Sequence, residues 1–369
     1  MGGLKMKKDL VWTIIGGGNG GQSVAGHLGY KGLKVRVYDI DEETVEIINE
    51  QKGIHLVDGV INGFGAVEFA TTNLEKAVHA SDVVMVVLPA LVHKAIAKDL
   101  ASVLEDGQIV FIHPGATCGA LEFKNVLDEM NCEADIIISE AMSLIYACRS
   151  PKKGTASIKG IKNKLMAAAL PANKTEEVVK ILNIAYPEIY AGKNVLETSL
   201  ENLNAVMHPG PTLLNTSLIE SNRKWKYYYD GITPSIGEYL VALDQERKAI
   251  GKAFGFELTD ITKWYEVLYD ATGSNLSEVV KNNKAYADID GQKSLQTRYL
   301  LEDIPMGLVP LACLGRLAGE NIEHIDILIK LGELLLNKDF SKEGRNLENL
   351  GLENMCIEEI ENYLETGVK

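Results

Sequence analysis

Six residues near the N-terminus constrain this chain more than any others: Gly16-Gly17-Gly18-Asn19-Gly20-Gly21. They follow an apolar run at residues 10–15 and precede a helical stretch at 22–29 that stops at Lys31-Gly32. In a strand–G-x-G-x-x-G–helix unit each glycine has its own task. Gly16 permits the tight turn, Gly18 lets a pyrophosphate approach the backbone, and Gly21 lets helix and strand pack closely. The helix N-terminus presents N–H groups and partial positive charge to phosphates. The spacing predicts a dinucleotide-binding loop made of Gly16, Gly18, Asn19, Gly20 and Gly21. The competing reading is a plain strand-to-helix glycine turn.

Asp39 reinforces the first reading. It ends the second strand, residues 34–38, at the distance where a carboxylate accepts hydrogen bonds from the ribose hydroxyls of NAD. The same carboxylate repels a 2′-phosphate, so NAD is favoured and NADP stays open. Capping of the next helix is the alternative for Asp39, although Asp41 could serve as that cap. Leu88-Pro89 closes a strand at 83–88, on the edge that faces ligand in open α/β sheets, and is expected to touch the cofactor. His93, close by, reads as a helix-surface or core histidine. Pro114-Gly115-Ala116-Thr117 opens another helix, either as a second anion site or as an ordinary turn capped by Thr117.

Further strands are expected at 109–112, 136–139 and 157–161, with a helix over Thr175–Ala185. Short apolar strands alternating with helices predict an α/β domain, a Rossmann-type doubly wound parallel sheet covered on both faces. Beyond residue 196 the strand signal ends. Residues 234–255 place Ile236, Leu240, Leu243, Arg247, Ile250 and Phe254 on one helical face, about 30 Å long, suited to the spine of an all-helical C-terminal domain. The division is residues 1–196 and 197–369, which agrees with a 369-residue chain being two domains of ordinary size.

Composition removes other classes. A formal charge of −14, from 37 basic and 51 acidic residues, leaves no basic footprint for nucleic acid. Five scattered cysteines without a C-x-x-C pair suggest neither disulfides nor a metal site. The first residues lack the apolar core of a signal peptide, and no run of about 18 apolar residues could cross a membrane. A cytoplasmic protein acting on small molecules is expected.

A dinucleotide domain needs a proton donor from elsewhere. His208, in Met207-His208-Pro209-Gly210-Pro211, has the most unusual setting of the seven histidines. Pro209 is expected to push it toward an extended backbone, and an imidazole there can give and take a proton near neutrality. A histidine capping a buried turn would look the same. Asp303 could fix the tautomer of an imidazole, or cap a helix with Pro305 in its first turn. Arg298 could grip a carboxylate in a bidentate fork, or pair with any nearby acid.

The glycine loop resembles, together with four further motifs in order, the octopine/nopaline dehydrogenase family of opine dehydrogenases. Those motifs are His208-Pro209-Gly210-Pro211-Thr212-Leu213-Leu214-Asn215, Tyr229-Asp230-Gly231-Ile232-Thr233-Pro234-Ser235, Leu243-Asp244-Gln245-Glu246-Arg247 and Arg298-Tyr299-Leu300-Leu301-Glu302-Asp303-Ile304-Pro305. The resemblance covers nearly the whole chain, including the tail from Gly344-Arg345-Asn346. It implies an NAD(P)H-dependent reductive condensation of an amino acid with a 2-oxo acid such as pyruvate, through an imine reduced by hydride. It also implies that His208 transfers the proton, that Asp303 is its partner, and that Arg298 binds substrate at the family's five-residue spacing. Where the family has Thr-Leu-Pro before an aromatic-x-Cys-Arg stretch, this chain has Ser143-Leu144-Ile145 before Tyr146-Ala147-Cys148-Arg149. The resemblance implies that this loop lies near the oxo-acid pocket, where Ser143 keeps a hydroxyl but the proline is lost, which leaves the oxo acid open.

Two other readings stand beside this one. A plain 2-oxo acid or hydroxy-acid reductase, similar to ketopantoate reductase or glycerol-3-phosphate dehydrogenase, would reduce its substrate without an amine. A nicotinamide-binding sensor would need no acid–base residues. Trp225 and the tyrosines at 227–229 either line the amine pocket or fill the core. The apolar helix at 325–336 packs within one subunit or between two of a homodimer.

Overall fold

The computed structural model describes residues 9–221 and 223–369. The leading segment read as lacking a signal peptide falls, for residues 1–8, outside the described residues. Contacts divide the chain into two compact units. The first holds residues 1–115, 119–198 and 362–369, and the second holds 116–118 and 199–361.

The first unit contains β1 (Val11–Ile15), β2 (Lys34–Tyr38), β3 (Gly53–Leu56), β4 (Gly63–Ala66), β5 (Phe69–Thr71), β6 (Val83–Val86), β7 (Ile109–Ile112), β8 (Ile137–Ala141), β9 (Tyr146–Lys152), β10 (Thr155–Ile161), β11 (Leu165–Leu170) and β12 (Ile189–Ala191). Eight of them form one sheet in the order β12-β11-β8-β7-β6-β1-β2-β5. All four residues of β6 and of β7 are buried, as a strand covered by helices on both faces requires. The central register runs Ile15 to Val86, Val86 to Ile112 and Ile112 to Glu140. The sheet is not wholly parallel, because β11 pairs antiparallel with β8. No crossover helix separates these two strands; β9 and β10 do, and they lead the chain back in the opposite direction.

β9 and β10 join β3 and β4 in a second, four-stranded sheet, order β4-β3-β10-β9. The helix Asn19–Tyr30 lies against it through glycines. A Cβ on Gly29 would stand 2.2 Å from Ala66 O, and one on Gly65 only 1.9 Å from Gly26 O. Of this sheet the sequence predicts only the strand at 157–161, and not its pairing, because the contact surface is built from absent side chains, which leave no apolar alternation in β4.

The second unit has no named strand among its described residues. Its longest helix, Pro234–Ala253, starts at a Thr233 cap and buries Leu240, Leu243, Arg247 and Ile250. The Leu243–Arg247 motif turns out to be a set of internal ties. Asp244 accepts from Arg247 Nε at 2.8 Å and from Ile261 N–H at 2.9 Å. Arg247, fully buried, donates onward to Leu200 O at 2.7 Å and Thr259 O at 2.5 Å. Glu246 accepts the N–H groups of His324 and Ile325, at 2.8 and 3.0 Å, and so caps the helix Glu323–Leu336. That helix buries Ile325, Leu328 and Ile329 within the unit, while Leu334 and Leu335 stay exposed. Among the described residues no helix is long and apolar enough to cross a membrane.

Candidate active site

The glycine loop follows β1 directly, and the helix begins at Asn19, inside the motif, three residues earlier than its apolar periodicity suggests. Gly16 has φ +107°, and a Cβ there would meet Leu88 Cδ2 at 2.6 Å and Val87 O at 2.8 Å. A Cβ on Gly21 would lie 1.7 Å from Gly16 O, so helix and turn touch at that point. Gly18 differs from both. It is exposed, no atom lies within 4 Å of where its Cβ would be, and it precedes the helix without a side-chain cap. Open space above uncapped helical N–H groups is what a pyrophosphate needs, so these residues fit the dinucleotide. Asn19 is tied instead to the second sheet, its Oδ1 accepting from Ser150 N–H at 2.8 Å.

Asp39 follows β2 and braces the loop: Gly17 N–H donates to Oδ2, and Asp41 N–H donates to Oδ1 at 2.8 Å. The cap of the next helix is Asp41, which accepts from Thr44 N–H at 3.3 Å. Asp39 is only partly buried, and each carboxylate oxygen keeps acceptor capacity beyond these two bonds.

Leu88 packs on Gly16, as the contacts above require, and Pro89 is exposed beside it. His93 is fully buried with Nε2 3.1 Å from Leu88 O. Thr117 does not sit in an open anion site. It is fully buried, its N–H donates to Met306 O at 3.2 Å, and its carbonyl accepts from Arg345 Nη1 at 2.7 Å. The first turn of the following helix, Gly119–Glu129, is already served by the chain's own carboxylate. Buried Glu140 accepts from Ala120 N–H and from the Thr198 hydroxyl, each at 2.7 Å, and a second anion there would be repelled.

In the second unit His208 and Asp303 meet. His208 Nδ1 is 2.7 Å from Asp303 Oδ2, and both side chains are buried. His208 is helical rather than extended, with φ −103° and ψ −53°, in spite of the proline that follows. The reason lies in its carbonyl, which accepts from the Thr212 and Tyr227 hydroxyls at 2.7 Å each, while its N–H donates to Asn204 O at 3.0 Å. Tyr299 stacks flat on the imidazole, centroids 3.9 Å apart and planes at 6°. Tyr227 meets Tyr299 edge-on at 4.9 Å. The other ring nitrogen, Nε2, faces the Tyr228 hydroxyl at 3.4 Å. Burial pushes the Tyr228 hydroxyl well above its ordinary range, so it remains a proton carrier.

Asp303 precedes a π-helical turn, Ile304–Leu308, yet its side chain caps nothing and turns to the histidine. Its N–H donates to Arg298 O at 3.4 Å, which explains the five-residue spacing. Tyr299 and Asp303, four residues apart, thereby reach the face and the edge of one ring. Arg298 is largely exposed, with Nε 3.7 Å from Glu302 Oε2. Ser143, partly buried in the first unit, accepts from Lys162 Nζ at 2.6 Å. Trp225, Tyr227 and Tyr228 are buried, and Tyr228 alone of these points its polar end to His208 Nε2. Neither Tyr299 nor Lys162 stood out in the sequence. The four-residue step from Tyr299 to Asp303 was the available signal for the first.

Loop and dyad define a class, the NAD(P)-dependent oxidoreductases. Residues 12–129 match the N-terminal domain of NAD-dependent glycerol-3-phosphate dehydrogenase, and residues 191–336 match the alpha-helical domain of NAD/NADP octopine/nopaline dehydrogenase. An opine dehydrogenase from Arthrobacter sp. (strain 1C) is 38% identical over 98% of this chain and 100% of its own length. Octopine dehydrogenase structures holding NADH with L-arginine and NADH with pyruvate superpose with a TM-score of 0.81 each. They are 20% and 21% identical, over 98% of both chains, and so support the fold. The chain belongs to the octopine/nopaline dehydrogenase family. It is an opine dehydrogenase, an NAD(P)-dependent oxidoreductase of CH–NH bonds that joins an amine to a 2-oxo acid.

Proposed function

We propose that this chain condenses the amino group of an amino acid with pyruvate or a similar small 2-oxo acid. Relatives solved with pyruvate and with L-arginine support that substrate pair. His208 serves as the acid–base residue, and the observation that carries this is its 2.7 Å bond to buried Asp303. A carboxylate at Nδ1 holds the proton on that nitrogen and leaves Nε2 to act. Nε2 takes a proton from the incoming ammonium, and the free amine attacks the oxo carbon and forms the C–N bond. The imidazolium returns that proton to the former carbonyl oxygen, and a second proton, lost by the newly bonded nitrogen and passed through Nε2, lets the oxygen leave as water as the imine forms. Asp303 stabilises the imidazolium between these steps. NAD(P)H, when bound, supplies the hydride that reduces the imine carbon. Gly16, Gly18, Gly20, Gly21, Asp39, Leu88 and Pro89 hold the cofactor. Asn19 stiffens their loop. Arg298, largely exposed, offers its guanidinium fork to a substrate carboxylate. Substrate occupying Nε2 displaces the 3.4 Å contact with Tyr228.

The direct test is NADH oxidation at 340 nm with pyruvate across a panel of amino acids, with an amine-free control. Oxidation that requires both partners is expected. Oxidation with pyruvate alone would move the chain to the simple 2-oxo acid reductases.

A further inference from the structure

Lys162, just after β10, is joined twice to the loop that leaves β8. Its N–H donates to Ile145 O at 2.9 Å, and its Nζ donates to Ser143 Oγ at 2.6 Å. The same loop is clamped to the end of β7, because Ile145 N–H donates to His113 Nε2 at 3.0 Å. An ammonium has three protons to place. Here one is placed, and no carboxylate of the described residues pairs with this lysine. Loss of surrounding water pushes Lys162 down to about 8, with no neighbouring anion to offset it. Fully buried His113 cannot supply that anion. Its Nε2 is already accepting from the Ile145 N–H, and burial with the nearby lysine lowers it to about 3.

The position of this cation gives its meaning. Ligands of open α/β sheets bind outside the carboxyl ends of the strands, with the dinucleotide spread across the point where strand order reverses. Here that point lies between β1 and β6. Asp39, at the end of β2, marks the adenosine side. The ends of β7 and β8 lie across β6 on the other, nicotinamide side, where a substrate is reduced. Leu144, between Ser143 and Ile145, places the loop near the glycine motif, since a Cβ added at Gly20 would be 3.6 Å from Leu144 Cδ2. An incompletely paired ammonium beside a hydroxyl, at the reducing end of a dinucleotide site, matches a carboxylate in charge and in donors.

We infer that Lys162, together with the Ser143 hydroxyl, binds the carboxylate of the 2-oxo acid. The inference deepens the opine reading and rests on it for the identity of the acid. Two donors on one carboxylate also suit the lost proline of this loop, because the hydroxyl position is fixed from the lysine instead.

The experiment is a fluorescence titration of pyruvate into the enzyme–NADH complex, for the wild type and for Lys162→Met, Lys162→Arg and Ser143→Ala. Lys162→Met is expected to raise the pyruvate Kd on the order of 10- to 100-fold, the size of a hydrogen bond to a charged group, with the NADH Kd unchanged. Lys162→Arg keeps the charge and should retain part of the affinity. If Lys162→Met does not fold, Ser143→Ala reports on the same pair with a smaller rise. An unchanged pyruvate Kd in either variant, or a raised NADH Kd with pyruvate unaffected, overturns the inference. Amine dependence of wild-type turnover judges the opine reading separately, because a simple reductase would also need to hold this carboxylate.

Discussion

Asp303 and His208 stand 95 residues apart in the chain and 2.7 Å apart in space. Their bond settles which use the fold makes of an aspartate that was equally suited to cap the turn after it. With Tyr299 flat against the ring and the carbonyl of His208 held by two hydroxyls, the imidazole has one nitrogen left for chemistry.

Replacing His208 should therefore affect turnover and little else. His208→Ala is expected to lower kcat about 100-fold or more, as loss of an acid–base group does, while the NADH Kd stays put. Asp303→Asn, which keeps the shape and loses the charge, should cost at least about tenfold in kcat by freeing the tautomer. Steady-state kinetics beside NADH fluorescence titration would separate the two effects, and an unaltered kcat in His208→Ala would end the assignment.

The glycines of the loop should divide by what surrounds them. Gly18→Ala places a methyl in open space, so the melting temperature is expected to hold while NADH binding weakens. Gly21→Ala drives a methyl into Gly16 O, 1.7 Å away, and overpacking of this kind costs about 1–3 kcal/mol or more. Its melting temperature should fall. Thermal unfolding of the two variants side by side tests the distinction, and equal losses would remove it.

Asp39 accepts two backbone N–H groups at the end of β2, where the proposed cofactor site places a ribose. Asp39→Ala is expected to weaken NADH by about 10-fold or more, the scale of a charged hydrogen bond, and NADPH much less. The measurement is the ratio of the two KM values. A ratio identical to the wild type would assign cofactor choice elsewhere.

Two buried histidines make the first unit sensitive to mild acid. His27, with Nδ1 2.6 Å from the Tyr146 hydroxyl, is lowered to about 4, and His113 to about 3, both by burial first. The unfolded chain takes up these protons as pH falls through about 6.5, while the folded chain refuses them until about 4 at His27 and about 3 at His113. Their contribution to stability is thus complete above about 6.5 and drains below it, down to about 4 for His27 and about 3 for His113, at up to about 1.4 kcal/mol per pH unit for each histidine. Urea unfolding at pH 7, 6 and 5 should show that decline, and His27→Phe should make it shallower. A parallel decline in the variant would exclude His27 as a source.

What could be read from sequence was local. The glycine loop and Asp39 lie within 24 residues of each other, so spacing alone carried their meaning, and the helix Thr175–Ala185 showed its own periodicity. Lys162 was invisible among Lys159, Lys162 and Lys164, since only the fold decides which of three lysines loses its water. The extended backbone expected at His208 failed for a similar reason. The proline's local preference is outweighed by three hydrogen bonds on the His208 backbone, two of them helical-spacing bonds to Asn204 and Thr212 and one from Tyr227, 19 residues on. Thr117 reads in sequence equally as part of an anion site or as a cap, and neither holds, because Glu140, 20 residues past Ala120, accepts the Ala120 N–H of that first turn.

The ties made by Asp244, Glu246 and Arg247 bear on how relatives of this chain should be sorted. These residues join helices and touch no reacting group, so a homologue could keep them, and fold in the same way, after losing His208. A survey that recruits members by that stretch would collect inactive descendants along with working enzymes. Under the proposed mechanism the pair at 208 and 303 is the better diagnostic of retained chemistry, and the stretch at 243–247 is a record of shared architecture.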